Sequence, residues 1–198
     1  MPRDQRSITA ADIMPLDQYE LIRADKKQEA IERKKLTRLA VGPYATVLFE
    51  NWDSMWLQIQ EMLRIEKGGD EQLVDELAAY DPMVPKGREL TATVFFEIGD
   101  PDRRDAFLRT IGGVEDHISI QVGGHVVPAR AEGDTERTRA SDNKASAVHF
   151  FHFDFTPEAI AAWKSGEGSA LLVIDHPNYG HAALISADAR AFLGRECF

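Results

Sequence analysis

From residue 90 onward the chain spells the same order of elements twice, and that recurrence restricts the fold more than any other feature. A β-favouring run over 90–98 leads to Asp100-Pro101-Asp102, where Asp100 can cap exposed amides and Pro101 suits the first helical position. The helix stops at Gly112-Gly113, a strand follows over 117–122, and Gly123-Gly124 makes a two-residue turn into a return strand from His125. The order then recurs: strand 147–155, Thr156-Pro157-Glu158 opening a helix, strand 170–175, a turn, and strand 181–185. Phe95-Phe96 corresponds to Phe150-Phe151, and the helix-opening prolines stand at 101 and 157. The pattern predicts an α+β fold, a mostly antiparallel sheet built from two strand-helix-strand-strand units over 90–131 and 147–186, with the helices on one face. Such an order also arises without any repeat, so superposition of the two units decides. Between them, the polar and turn-rich stretch 132–146 is long for a connection and predicts a mobile loop.

Ahead of the units come an arm and a hairpin. Residues 15–35 form a highly charged helix whose thin apolar stripe, Leu16, Tyr19 and Ile22, suits it to lie on a surface or a partner. It dominates an N-terminal helical arm, 1–35, in front of a single α+β domain, 36–198. Runs 36–41 and 44–49 favour strand and flank the turn-forming Gly42-Pro43. A helix over 54–67 follows, closed by Gly68-Gly69, and a second begins at Asp70 and stops before Pro82.

The 198 residues suffice for one sizeable core, and a 43% hydrophobic content excludes a chain dominated by disorder. A formal net charge of -10 opposes a nucleic-acid backbone or an anionic membrane surface. The charge is uneven, with nine Lys or Arg against seven Asp or Glu in residues 1–40 and an acidic remainder. Cys197 is the single cysteine, so this chain alone builds no disulfide and no multi-cysteine metal site, and a reducing cytoplasm fits. Nothing near Cys197 is arranged to lower its pKa, which leaves it a bystander thiol. The sequence also lacks a signal-peptide core and any apolar run approaching the ~20 residues needed to cross a bilayer.

The helix after Ser54 breaks the expected apolar pattern and is the first candidate site. A 100° step per residue places Met55, Trp56, Ile59, Met62 and Leu63 on one face, and Gln58 and Glu66 with them, while Gln60, Glu61 and Arg64 point away. A carboxylate among apolar groups needs a partner or a ligand, so Gln58 and Glu66 are the candidate binding residues. Glu66 lies in the last turn, where reaching solvent is the simpler outcome. Glu61 and Arg64, three apart, read as a surface pair. Histidines supply the second candidate. His176 and His181 bracket a four-residue turn, Pro177-Asn178-Tyr179-Gly180, which sets them opposite each other, close enough to share a transition metal. His149 alternates with Phe151, Phe153 and Phe155, and either it or His152 can supply a third ligand. Two histidines that close a turn, and a third bonded within the core, account for the same pattern without metal.

FENWDSMWLQIQEMLRIE, followed by DELAAYDPMVP, ELTATVFFEI and DHPNYGHAAL, resembles a bacterial family of uncharacterised proteins defined only as a domain of unknown function. The resemblance covers nearly the whole chain. Members of that family tend to be encoded beside rubrerythrin and a cysteine-rich iron–sulfur oxidoreductase, which implies a redox or peroxide-stress setting and names those two proteins as partners. Rubrerythrin's own di-iron pattern, glutamate with histidine three residues later, is absent: Glu61 is followed three later by Arg64. The sequence thus points to a cytoplasmic accessory or binding component of such a system, monomer or homodimer. The alternative is a metal-dependent enzyme with a histidine site in a cleft between the two units. The absence of a Walker loop, a dinucleotide-binding fingerprint and a nucleophilic serine elbow narrows the enzyme classes.

Overall fold

Eight strands form one sheet in the order β1 (Arg38–Val41), β2 (Ala45–Phe49), β3 (Glu89–Phe96), β8 (Val148–Asp154), β5 (His125–Ala131), β4 (Ile118–Val122), β9 (Ala170–His176) and β10 (Tyr179–Ile185), with every neighbouring pair antiparallel. The computed structural model describes residues 5–133 and 137–198. Helix α1 (Leu16–Thr37) leads into β1 (Arg38–Val41) and β2 (Ala45–Phe49), then α2 (Trp52–Glu66) and α3 (Gly69–Tyr80). The first unit follows as β3 (Glu89–Phe96), α4 (Pro101–Thr110), β4 (Ile118–Val122) and β5 (His125–Ala131). A small hairpin of β6 (Thr138–Arg139) and β7 (Lys144–Ala145) precedes the second unit: β8 (Val148–Asp154), α5 (Pro157–Ser165), β9 (Ala170–His176) and β10 (Tyr179–Ile185). The chain closes with α6 (Ala187–Cys197). The expected α+β class holds.

Local chemistry sets the boundaries. Asp100 accepts from the Arg103 amide at 2.8 Å and Thr156 from the Ala159 amide at 3.2 Å, so both units open their helices with a side-chain cap followed by proline. Asn51 and Ser54 bond each other's amides reciprocally at 2.9 Å and begin α2 two residues earlier than sequence reading places it. Helix α6, which sequence reading does not foresee, starts from Ser186 in the same way, with a bond of 3.2 Å from the Ala189 amide.

The recurrence is real in element order and partial in space. In each unit the helix carries the chain three places along the sheet, from β3 to β4 and from β8 to β9. The third strands then part: β5 folds back between β8 and β4, whereas β10 lies outside β9. The place beside β4 that strict repetition would give to β5 is taken by β9. Because β8 lies between β3 and β5, the units interleave and share one core.

That core gathers the inward-facing residues of all eight strands together with Leu108 and Ile111, Ala159 and Trp163, and Leu193 and Cys197 from around α4, α5 and α6. The sheet curls until its outermost strands meet. The Tyr179 hydroxyl on β10 donates to Val41 O at 2.7 Å and accepts from the Tyr44 and Ala45 amides at 2.9 and 2.8 Å. Gly42 makes that approach feasible: its φ is +69°, and a Cβ there would lie 2.5 Å from the His181 ring and 2.8 Å from the Tyr179 oxygen.

A second apolar cluster joins Tyr19 of α1, Met55, Trp56, Ile59 and Leu63 of α2, and Met83 and Val84 beyond α3. The arm is therefore docked on the body, with Tyr19 fully buried and edge-on to Trp56 at 5.9 Å. The expected Glu61–Arg64 surface pair does not form, because both side chains are drawn across to α1. Glu61 accepts from Arg23 at 2.7 and 2.9 Å and from the Tyr19 hydroxyl at 2.6 Å, and Arg64 donates to Glu20. The 132–146 loop, of which residues 134–136 lie outside the described part, is tied down beyond them. Arg109 reaches Asp142 at 2.6 Å, Lys144 reaches Asp105 at 2.5 Å, and the β6–β7 hairpin rests on α4.

Candidate functional site

Strand alternation explains how a carboxyl comes to be buried outside the core. Phe49 points into the sheet's core, so Glu50 must point to the other face, and its amide continues the ladder by donating to Thr91 O at 2.8 Å. On that outer face the register places Leu48, Thr93 and Phe150 in one cross-strand row over β2, β3 and β8. Helices α1 and α2 stand over the row and leave a groove of about 450 Å³. Glu50 lies at its floor, 3% exposed, with Thr93 Oγ1 donating to Oε1 at 2.7 Å and Ser54 Oγ 2.7 Å from Oε2.

Among the described residues no lysine or arginine pairs with Glu50 directly. Burial pushes its pKa up, against the opposing pull of the two hydroxyls and of Lys34 and Arg33 nearby. The proton-bearing form can donate a hydrogen bond into the groove, which the ionised form cannot. Around it the walls are mixed: Leu48, Leu57, Phe95 and Phe150 supply apolar surface, while Lys27 and Lys34 supply positive charge from α1. Gln58 and Tyr80 stand at the rim, with Gln58 Nε2 3.4 Å from the Tyr80 hydroxyl.

Of the two binding residues read from sequence, Gln58 lines the groove and Glu66 does not. Glu66 is exposed beyond it and accepts from Gln72 at 3.1 Å. The buried arc of α2 runs through Trp56, Ile59, Gln60 and Leu63, so Gln60, expected to point away, is fully buried and Gln58 is exposed. The arc turns because α2 packs against α1 as well as α3; Gln60 Nε2 donates to Met14 O at 3.3 Å, just ahead of α1. Glu50 and Thr93 are absent from the sequence-based set. Their signal was the acidic residue in Phe49-Glu50-Asn51, at the handover from strand to helix.

The histidines do not assemble as expected. A two-residue turn, Pro177-Asn178, pairs His176 with Tyr179 and puts His181 opposite Ile174. The four-residue turn fails because Tyr179 is needed in the strand, where its hydroxyl holds the sheet's closure. His176 accepts from the Asn178 amide through Nδ1 at 3.2 Å and donates to Gly112 O through Nε2 at 3.3 Å, which uses both ring nitrogens. His149 is buried between Phe96 and Phe151, donates to Ser146 O at 2.9 Å, and has its pKa lowered by burial. Among the described residues no group of three or more His, Cys, Asp or Glu side chains is placed to hold a metal ion. His152 has different company: Nδ1 is 2.6 Å from Glu89 Oε2, and Nε2 bonds Glu132. Two carboxylates facing the two nitrogens hold a proton on each. Burial opposes that charge, but the bonds to Glu89 and Glu132 prevail and raise the pKa. With its two nitrogens occupied on opposite sides, this ring is a strut between β3, β8 and the start of the 132–146 loop.

No helix among the described residues is long and apolar enough to cross a membrane. No curated protein matches the chain. A crystal structure of a protein of unknown function from Burkholderia pseudomallei is 33% identical and superposes with a TM-score of 0.88, over 97% of this chain and all of that one. The description protein of unknown function, DUF3501, belongs to the family model that matches residues 7–196, and the chain is a member of that family.

Proposed function

We propose that the protein is a binding component that takes a small, partly apolar molecule into the groove between α1, α2 and the outer face of β2, β3 and β8. Glu50 is the polar anchor. The observation that carries this reading is a carboxyl buried, without a cationic partner among the described residues, at the foot of an accessible groove. Its volume, about 450 Å³, lies within the range of small-molecule sites, and its few polar groups converge among aromatic and aliphatic ones.

The setting implied by the family resemblance, an accessory role beside rubrerythrin or an iron–sulfur oxidoreductase, fits this reading. In that setting the partner would meet α1, where Leu21 and Ile31 are exposed apolar residues on a charged helix. Two measurements test the two parts separately. Ligand-observed NMR with a library of small organic acids, amides and ketones should yield compounds that bind the native protein and lose binding in Ala30→Trp, which fills the groove from α1. Compounds that bind Ala30→Trp and the native protein alike would overturn the groove as the site. Co-elution with purified rubrerythrin or the oxidoreductase, lost in Leu21→Glu, which lies outside the groove, checks the accessory role, and failure to co-elute with either would remove it.

A further inference from the structure

A second groove lies between the end of α5, the 166–169 loop, β10 and α6, with a volume of about 770 Å³. In a chain of net charge -10, the charged side chains that line it are Lys164, Arg190 and Arg195, all cationic. Arg190 is 5% exposed and donates to the carbonyls of Ala162, Trp163, Glu167 and Gly168. Those carbonyls, at and just past the C-terminal end of α5, solvate the guanidinium with the negative end of a helix dipole. They supply no full counter-charge, and burial alone lowers the Arg190 pKa. Lys164 and Arg195 are exposed in front of it, and neither has a carboxylate partner among the described residues.

The uncharged part of the lining mixes Ser169 and the glycines of the 166–169 loop with apolar residues: Trp163 and Ile185, both buried, Phe198, and Leu184 on β10, which is 59% exposed. A buried arginine solvated by carbonyls, two exposed cations without a carboxylate partner among the described residues, and apolar surface from Leu184 and Phe198 describe complementarity to one kind of ligand. We infer that this groove binds a single-chain anionic amphiphile, its carboxylate head between Lys164 and Arg195 within the field of Arg190, and its alkyl chain along Leu184 and Phe198. This site is independent of the Glu50 groove.

Isothermal titration calorimetry of the full chain with decanoate tests the inference, with decanol and decyltrimethylammonium as neutral and cationic counterparts. Decanoate should bind saturably at one site, at least about tenfold more tightly than either counterpart. Lys164→Glu/Arg195→Glu, both exposed and without a carboxylate partner among the described residues, should weaken decanoate by at least about tenfold, and Leu184→Glu should do the same from the apolar side. Glu50→Gln should leave it unchanged. Decanol binding as tightly as decanoate, a double variant that binds decanoate like the native protein, or no saturable binding would each overturn the proposal.

Discussion

Two of the side chains that join elements in this protein, Glu61 and His152, carry a pH signature whose sign follows from their partners. Arg23 and the Tyr19 hydroxyl hold the Glu61 carboxyl down at about 2, from an ordinary 4.5. A depressed carboxyl contributes stability above its unfolded pKa and loses it as pH falls toward the folded one. Melting temperature should therefore fall between pH 4.5 and about 2 more steeply in the native protein than in Glu61→Gln, with the two curves converging at the acid end. His152 works in the opposite direction. Its pKa is raised from 6.5, so its contribution is complete below 6.5 and is lost as pH rises through the higher folded value. His152→Gln should flatten stability on that alkaline side, and NMR titration of the native ring should place its midpoint above 6.5. A midpoint below 6.5 would contradict the two-carboxylate clamp. At this scale the sequence was half legible. The helical period of α2 places Gln58 among the apolar residues, whereas the structure leaves it exposed at the groove's rim; Glu50 is missed because alternation in β2 tells which face a residue takes but not that a second layer covers that face.

Among the elements, the joint between β10 and the β1–β2 turn has the narrowest tolerance. Replacing Gly42 by alanine puts a methyl group into the His181 ring and imposes a φ of +69° on a residue with a Cβ, which should cost at least about 1 kcal/mol in denaturant unfolding. Tyr179→Phe keeps the ring but strands the Tyr44 and Ala45 amides and Val41 O, with an expected loss of about 1–3 kcal/mol. If either variant were as stable as the native protein, the closure would be a contact without energetic weight. The elements themselves were readable where a cap or a glycine pair marks them, as at Asp100, Thr156 and Gly123-Gly124. They were misplaced where only a long-range contact decides. The length of the turn after His176 depends on a tyrosine that must reach a strand 138 residues earlier, and no local pattern contains that information.

For the molecule as a whole, two cores of unequal quality should behave differently. The sheet's core is apolar and continuous, whereas the cluster among α1, α2 and α3 is smaller and encloses Gln60, whose Oε1 has no hydrogen-bond partner among the described residues. Helices held this way open at lower free energy than central strands. Native-state hydrogen exchange should find the α1 and α2 amides less protected than those of β3 and β8, and equal protection would mean that the two layers unfold together. The overall architecture was legible as a class and as an element order, while the interleaving of the two units was not, since pairing partners are set by which surfaces remain free once the first strands have met. The curling of the sheet carries one more implication. An open sheet ends in two rows of unpaired amides and carbonyls that a second chain can extend, which is how strand-by-strand aggregates begin. Here the rows on β1 and β10 converge at Tyr179, so the same hydroxyl that closes the sheet also shortens what a growing fibre could use as a template.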